Sequence, residues 1–73
     1  MTYQQAKAKA QQLTGRTPRW CDVRDQDDEL APAPIPEAMN DYIALDANGN
    51  QTKVDHWMNQ QPRGENVEAV CYF

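Results

Sequence analysis

The run Val67-Glu68-Ala69-Val70-Cys71-Tyr72-Phe73 is almost continuously apolar, broken only by Glu68. It is too short for an ordinary helix and rich in β-branched and aromatic residues, so it reads as a strand buried on both faces. Such a strand needs a neighbour along each edge and a layer over each face. The remaining residues must supply all four, and there are few of them. The chain has 73 residues, enough for one domain spanning 1–73. A domain of this size buries only about 60% of the surface its unfolded chain exposes.

One covering layer is written into residues 2–14. Thr2-Tyr3-Gln4-Gln5 fits a capping box, Tyr3, Ala6, Ala10 and Leu13 recur at helical spacing, and Gly15 stands at the C-cap. This predicts a helix over Thr2–Thr14 with a narrow, alanine-rich face that allows close approach to a sheet. Next, Arg19-Trp20-Cys21-Asp22-Val23-Arg24 alternates, placing Cys21 and Val23 on one face and Trp20, Asp22 and Arg24 on the other, as in a strand.

The acids Asp25, Asp27, Asp28 and Glu29 end that strand in an exposed loop. Ala31-Pro32-Ala33-Pro34-Ile35-Pro36 then reads as extended, polyproline-like chain, with Pro36 able to open a short helix over Pro36–Asn40. Asn48-Gly49 lies between Tyr42–Asp46 and Gln51–Asp55, a strong hairpin signal. A two-residue turn here sets Leu45 opposite Thr52 and Ile43 opposite Val54. Residues 56–60 fit either a strand or one helical turn capped by Asp55, and Pro62-Arg63-Gly64 reads as a turn. The expected fold is α+β: an N-terminal helix packed on a small antiparallel sheet of three to four strands that includes the Asn-Gly hairpin.

No constellation of catalytic or metal-binding residues emerges. Asp46-Ala47-Asn48-Gly49-Asn50 begins like a calcium loop, but the sixth position is Gln51 instead of Gly and the twelfth is Trp57 instead of Glu. Cys21, His56 and Cys71 show no close-spaced ligand pair, so no metal and no cofactor is expected. A Cys-His-Asp nucleophile set lacks any local device to activate the thiol. The two cysteines, fifty residues apart in apolar surroundings, read as reduced core residues. The polar opening Met1-Thr2-Tyr3-Gln4-Gln5 lacks the apolar stretch of a secretory leader, and a cytoplasmic location is expected.

Charge is unevenly distributed. Residues 1–24 carry five basic groups and one acid, whereas residues 25–73 carry two basic groups and ten acids. Such asymmetry can steer a charged partner. The expectation is a small, acidic, non-enzymatic binding protein that inhibits by docking on a basic groove of a nucleic-acid-handling protein or complex. The expected contact residues are Trp20, Asp25, Asp27, Asp28, Glu29, Glu37 and Asp41. In size and charge the chain is similar to small acidic phage proteins that block host defence, anti-CRISPR proteins among them, a likeness of type and not of motif. Two alternatives stand beside it. One is a structural or accessory subunit of a larger assembly. The other is direct nucleic-acid binding through Lys7, Lys9, Arg16, Arg19, Trp20 and Arg24, which a sequence pI near 4.6 disfavours. Neither a membrane nor a small-molecule substrate is expected as a partner.

Overall fold

The computed structural model describes residues 1–24, 41–58 and 61–73. Thr2 caps helix α1 (Tyr3–Thr14): its hydroxyl accepts from the Gln5 amide, the Gln5 side chain accepts from the Thr2 amide, and Gly15 closes the other end at φ 74°. Strands β1 (Trp20–Val23), β2 (Tyr42–Leu45) and β5 (Ala69–Tyr72) form an antiparallel sheet in the order β1-β5-β2. Strands β3 (His56–Met58) and β4 (Gln61–Arg63) form a separate two-stranded antiparallel ribbon. The fold is α+β, one helix on a small antiparallel sheet.

As the apolar run implies, β5 is the central strand, and all four of its residues are buried. Its alternation divides the interior in two. Ala69 and Cys71 join Ala6, Ala10, Cys21, Val23, Ile43 and Leu45 beneath α1. Val70 and Tyr72 face the other way, with Ala44 and Val67, and Trp20, Tyr42 and Val54 pack around them. The β3–β4 ribbon joins this second face: Trp57 meets Tyr42 edge-on at 5.5 Å between centroids, and Arg63 reaches Asp22 at 2.8 Å. Small side chains at Ala6 and Ala10, both fully buried, let α1 lie close to the sheet. Leu13, placed by its spacing on the same stripe, is instead half exposed.

Two expectations need correcting. The turn at Asn48-Gly49 exists, but its loop has three residues. The Asp46 amide donates to the Asn50 carbonyl, the Gly49 amide donates to the Asp46 carbonyl, and Gly49 sits at φ 82°. Leu45 therefore bridges Gln51, and the Thr52 amide bonds the Ala44 carbonyl. A one-residue shift in register moves alternate side chains to the opposite face. Val54 accordingly packs on the second face, across the sheet from Ile43, and the second arm leaves the pairing after Thr52. The second correction is at Pro62, read as part of a turn. It is a fully buried strand residue opposite Trp57. The ribbon tolerates it because, among the described residues, β4 has one strand neighbour, leaving an edge where a missing N–H costs nothing. Residues 56–58 take the strand option, while the loop, extended segment and short helix expected over 25–40 lie outside the described residues.

Candidate functional site

Of the seven contact residues expected from sequence, the structure describes Trp20 and Asp41. Asp25, Asp27, Asp28, Glu29 and Glu37 lie outside the described residues. The two that are described occupy different settings. Trp20 is half-buried against the second face, its ring 5.7 Å from that of Tyr72, and its indole Nε1 is buried without a hydrogen-bond partner. Much of the ring thus serves packing.

Asp41 sits where the chain re-enters the sheet at β2. Arg16, just beyond α1, grips it with two parallel bonds: Nη1 to Oδ1 at 2.9 Å and Nη2 to Oδ2 at 2.7 Å. The same guanidinium lies 4.5 Å from the centre of the Phe73 ring, a cation–π contact. The Arg16 hydrogen bonds draw the Asp41 carboxyl below its ordinary pKa, and Asp41 in turn raises that of Arg16. Asp41 is therefore already matched by a cation.

Three members of the basic set expected from sequence are also engaged. Besides Arg16, Arg19 Nε donates to the Phe73 carbonyl at 3.0 Å, and Arg24 Nη2 donates to the Gly64 carbonyl at 2.9 Å. The Lys9 methylenes lie over Gly49, where an added Cβ would meet them at 3.0 Å.

These pairings sharpen the charge asymmetry. All seven basic residues and six of the eleven acids belong to the described residues. The other five acids are Asp25, Asp27, Asp28, Glu29 and Glu37, and no basic residue lies among residues 25–40. The described body is thus close to neutral, and the net charge of −4 arises from that single segment between β1 and β2. The segment leaves the sheet after Arg24, whose amide bonds the Glu68 carbonyl, and returns at Asp41, whose carbonyl accepts from the Phe73 amide. It therefore departs from one end of the sheet and rejoins at the other.

At the returning end stands an aromatic residue that the sequence reading did not select. Trp57 is 46% exposed and braced edge-on by Tyr42. Its place on the two-stranded ribbon follows from the β3–β4 pairing, which the reading of Pro62 as a turn had obscured. At the departing end, an open cleft of about 320 Å³ lies between the Asp46–Asn48 turn and Glu65–Glu68, with Arg24 at its wall. It is large enough for a small molecule, yet charged side chains line it, whereas ligand pockets are predominantly apolar. Among the described residues no group of three His, Cys, Asp or Glu is placed to hold a metal ion. No described helix is long and apolar enough to cross a membrane.

The architecture places the chain among small α+β domains with a helix on a three-stranded antiparallel sheet. Compared with known proteins, it matches no family model, no curated protein and no solved structure.

Proposed function

We propose that the protein is a non-enzymatic binding protein that acts in the cytoplasm by docking its acidic segment on a basic groove of a nucleic-acid-handling protein or complex, and so inhibits it. The observation that carries this reading is the partition of charge. A near-neutral body is joined to one sixteen-residue stretch that holds five acids without a single cation. Carboxylates in such a stretch compete for the Arg and Lys side chains that would otherwise hold phosphates. Asp41, satisfied by Arg16, contributes by fixing the point where the segment rejoins β2. Trp57 supplies an exposed apolar anchor near that point, and a docked Trp is a frequent hot spot. In size and charge the chain is similar to phage counter-defence proteins, the anti-CRISPR type included, and a role of that kind is the one proposed.

The test is affinity capture from the native host with wild type and with a variant in which Asp25, Asp27, Asp28, Glu29 and Glu37 are replaced by the corresponding amides. The expected result is a basic, nucleic-acid-handling partner that the variant fails to retain and that raised salt elutes. Capture of the same partner by both proteins, insensitive to salt, would favour an accessory subunit held through apolar surface.

A further inference from the structure

The two cysteines are separated by fifty residues in sequence and stand directly opposite each other on β1 and β5. Both are free and fully buried beneath α1, where the Cys71 thiol donates to the Ala6 carbonyl at 3.5 Å. The register determines the geometry of the pair. The Arg24 amide donates to the Glu68 carbonyl at 2.8 Å, so these two form a hydrogen-bonded pair one step beyond Val23 and Ala69. Antiparallel pairs alternate in type, so Asp22 and Val70 also bond, whereas Cys21 and Cys71 form a non-hydrogen-bonded pair. In that setting Cα atoms lie about 4.5 Å apart, within the roughly 4.4–6.8 Å that a disulfide spans. Cys71 is on the central strand, held on both sides. Among the described residues β1 has one strand neighbour, so Cys21 lies on an edge strand.

We propose that Cys21 and Cys71 form a latent dithiol that closes to an intramolecular disulfide, fastening edge strand β1 to central strand β5 without a change of fold. The oxidant is a small-molecule disulfide such as oxidised glutathione. When β1 detaches locally, the thiolate of one cysteine attacks the glutathione disulfide and one glutathione thiol leaves. When β1 re-pairs, the second thiolate attacks the mixed disulfide, the protein disulfide forms, and the second glutathione leaves. The protein loses two electrons and two protons, and two glutathione thiols receive them. In the closed sheet the reaction is held back. Hydrogen bonding with Cys21, and then burial, push the Cys71 thiol well above its ordinary range, and no oxidant reaches either sulfur. With two cysteines in the chain, no third thiol competes for the bond.

The test treats the reduced full chain with excess oxidised glutathione, in native buffer and in denaturant well below the unfolding midpoint. Products are alkylated under denaturing conditions and weighed intact. The expected product is a monomer two hydrogens lighter with no alkylatable thiol, formed faster in dilute denaturant and reversed by dithiothreitol. Its circular dichroism should match the reduced protein's, and closing a fifty-residue loop should raise its thermal midpoint by about 15–25 °C. Cys21→Ala and Cys71→Ala should each stop at the mixed disulfide. Cysteine Cβ chemical shifts of the unmutated chain give a second readout should either variant fail to fold: oxidised values at both positions with the remaining spectrum unmoved. A mixed disulfide as end product, a linked dimer, persistent free thiols in dilute denaturant, or an oxidised monomer with a lower midpoint would each overturn the proposal.

Discussion

Arg63 on β4 donates to Asp22 on β1 at 2.8 Å, joining the ribbon to the face of the sheet that α1 leaves uncovered. Both side chains are about a quarter exposed. A charge-assisted bond in this half-dry setting contributes more than a surface pair and less than a fully buried one. The same guanidinium bonds the Pro62 carbonyl, which orients the fork toward Asp22.

Asp22→Asn and Arg63→Met should each lower stability by about 1–2 kcal/mol. In a double-mutant cycle by denaturant unfolding, the coupling should be about 1 kcal/mol. Strict additivity would mean that the ribbon docks by apolar contact alone.

Tyr72 offers a test at alkaline pH. Burial, and secondarily the Asp22 charge, push its hydroxyl up to about 12, against an ordinary 10. A folded-state value above the unfolded one means that stability is full below pH 10 and declines as pH rises from 10 toward 12. The hydroxyl is buried, and Arg63 lies near enough to offset part of that rise. Tyr72→Phe removes the buried hydroxyl together with its desolvation cost and should change stability by less than about 1 kcal/mol near pH 8. It should also flatten the alkaline decline. Thermal midpoints from pH 8 to 12 for both proteins check this.

Gly49 occupies the left-handed region at φ 82°, beneath the Lys9 methylenes. The lysine stem can shift; the backbone cannot. Gly49→Ala should cost about 1–2 kcal/mol from backbone strain, whereas Lys9→Met, which keeps the stem, should be close to neutral. Equal losses in the two variants would move the cause from the turn to the contact.

How far the sequence prescribes this molecule can be followed residue by residue. Thr2, Gln5 and Gly15 act locally, through bonds within one turn of helix, and the helix ends are where they imply. Cys71 and Val70 lie in a run whose apolar density admits one placement, the central strand. The hairpin register was not legible, because Asn48-Gly49 serves a two-residue loop or a three-residue one equally well. Asp46 decides between them: its Oδ1 accepts from the Asn48 and Asn50 amides and stabilises the longer loop. Pro62 hid β4 because a turn and an edge strand place similar demands on proline. Of the candidate site, the acid run is visible in composition alone. That Arg16 neutralises Asp41 depends on a contact across twenty-five residues, which no local pattern encodes.

The two tryptophans should separate stability from binding. Trp20 packs on Tyr72 within the second core face, so Trp20→Ala should lose about 2–3 kcal/mol of stability. Trp57 is 46% exposed, and Trp57→Ala should change stability by less than about 1 kcal/mol while speeding dissociation from the partner roughly tenfold or more. Denaturant midpoints and dissociation rates, measured on the same two variants, distinguish these roles.

The central claim is that residues 25–40, which hold the protein's net charge, steer it to a basic partner. The most direct measurement is the association rate with the captured partner as a function of salt, for wild type and for the variant with amides at Asp25, Asp27, Asp28, Glu29 and Glu37. The Debye length falls from about 10 Å at 0.1 M to about 3 Å at 1 M. The wild-type rate should therefore fall steeply over that range, and the variant should start roughly tenfold or more slower and respond little. Equal rates for the two proteins and a flat dependence on salt would contradict the claim.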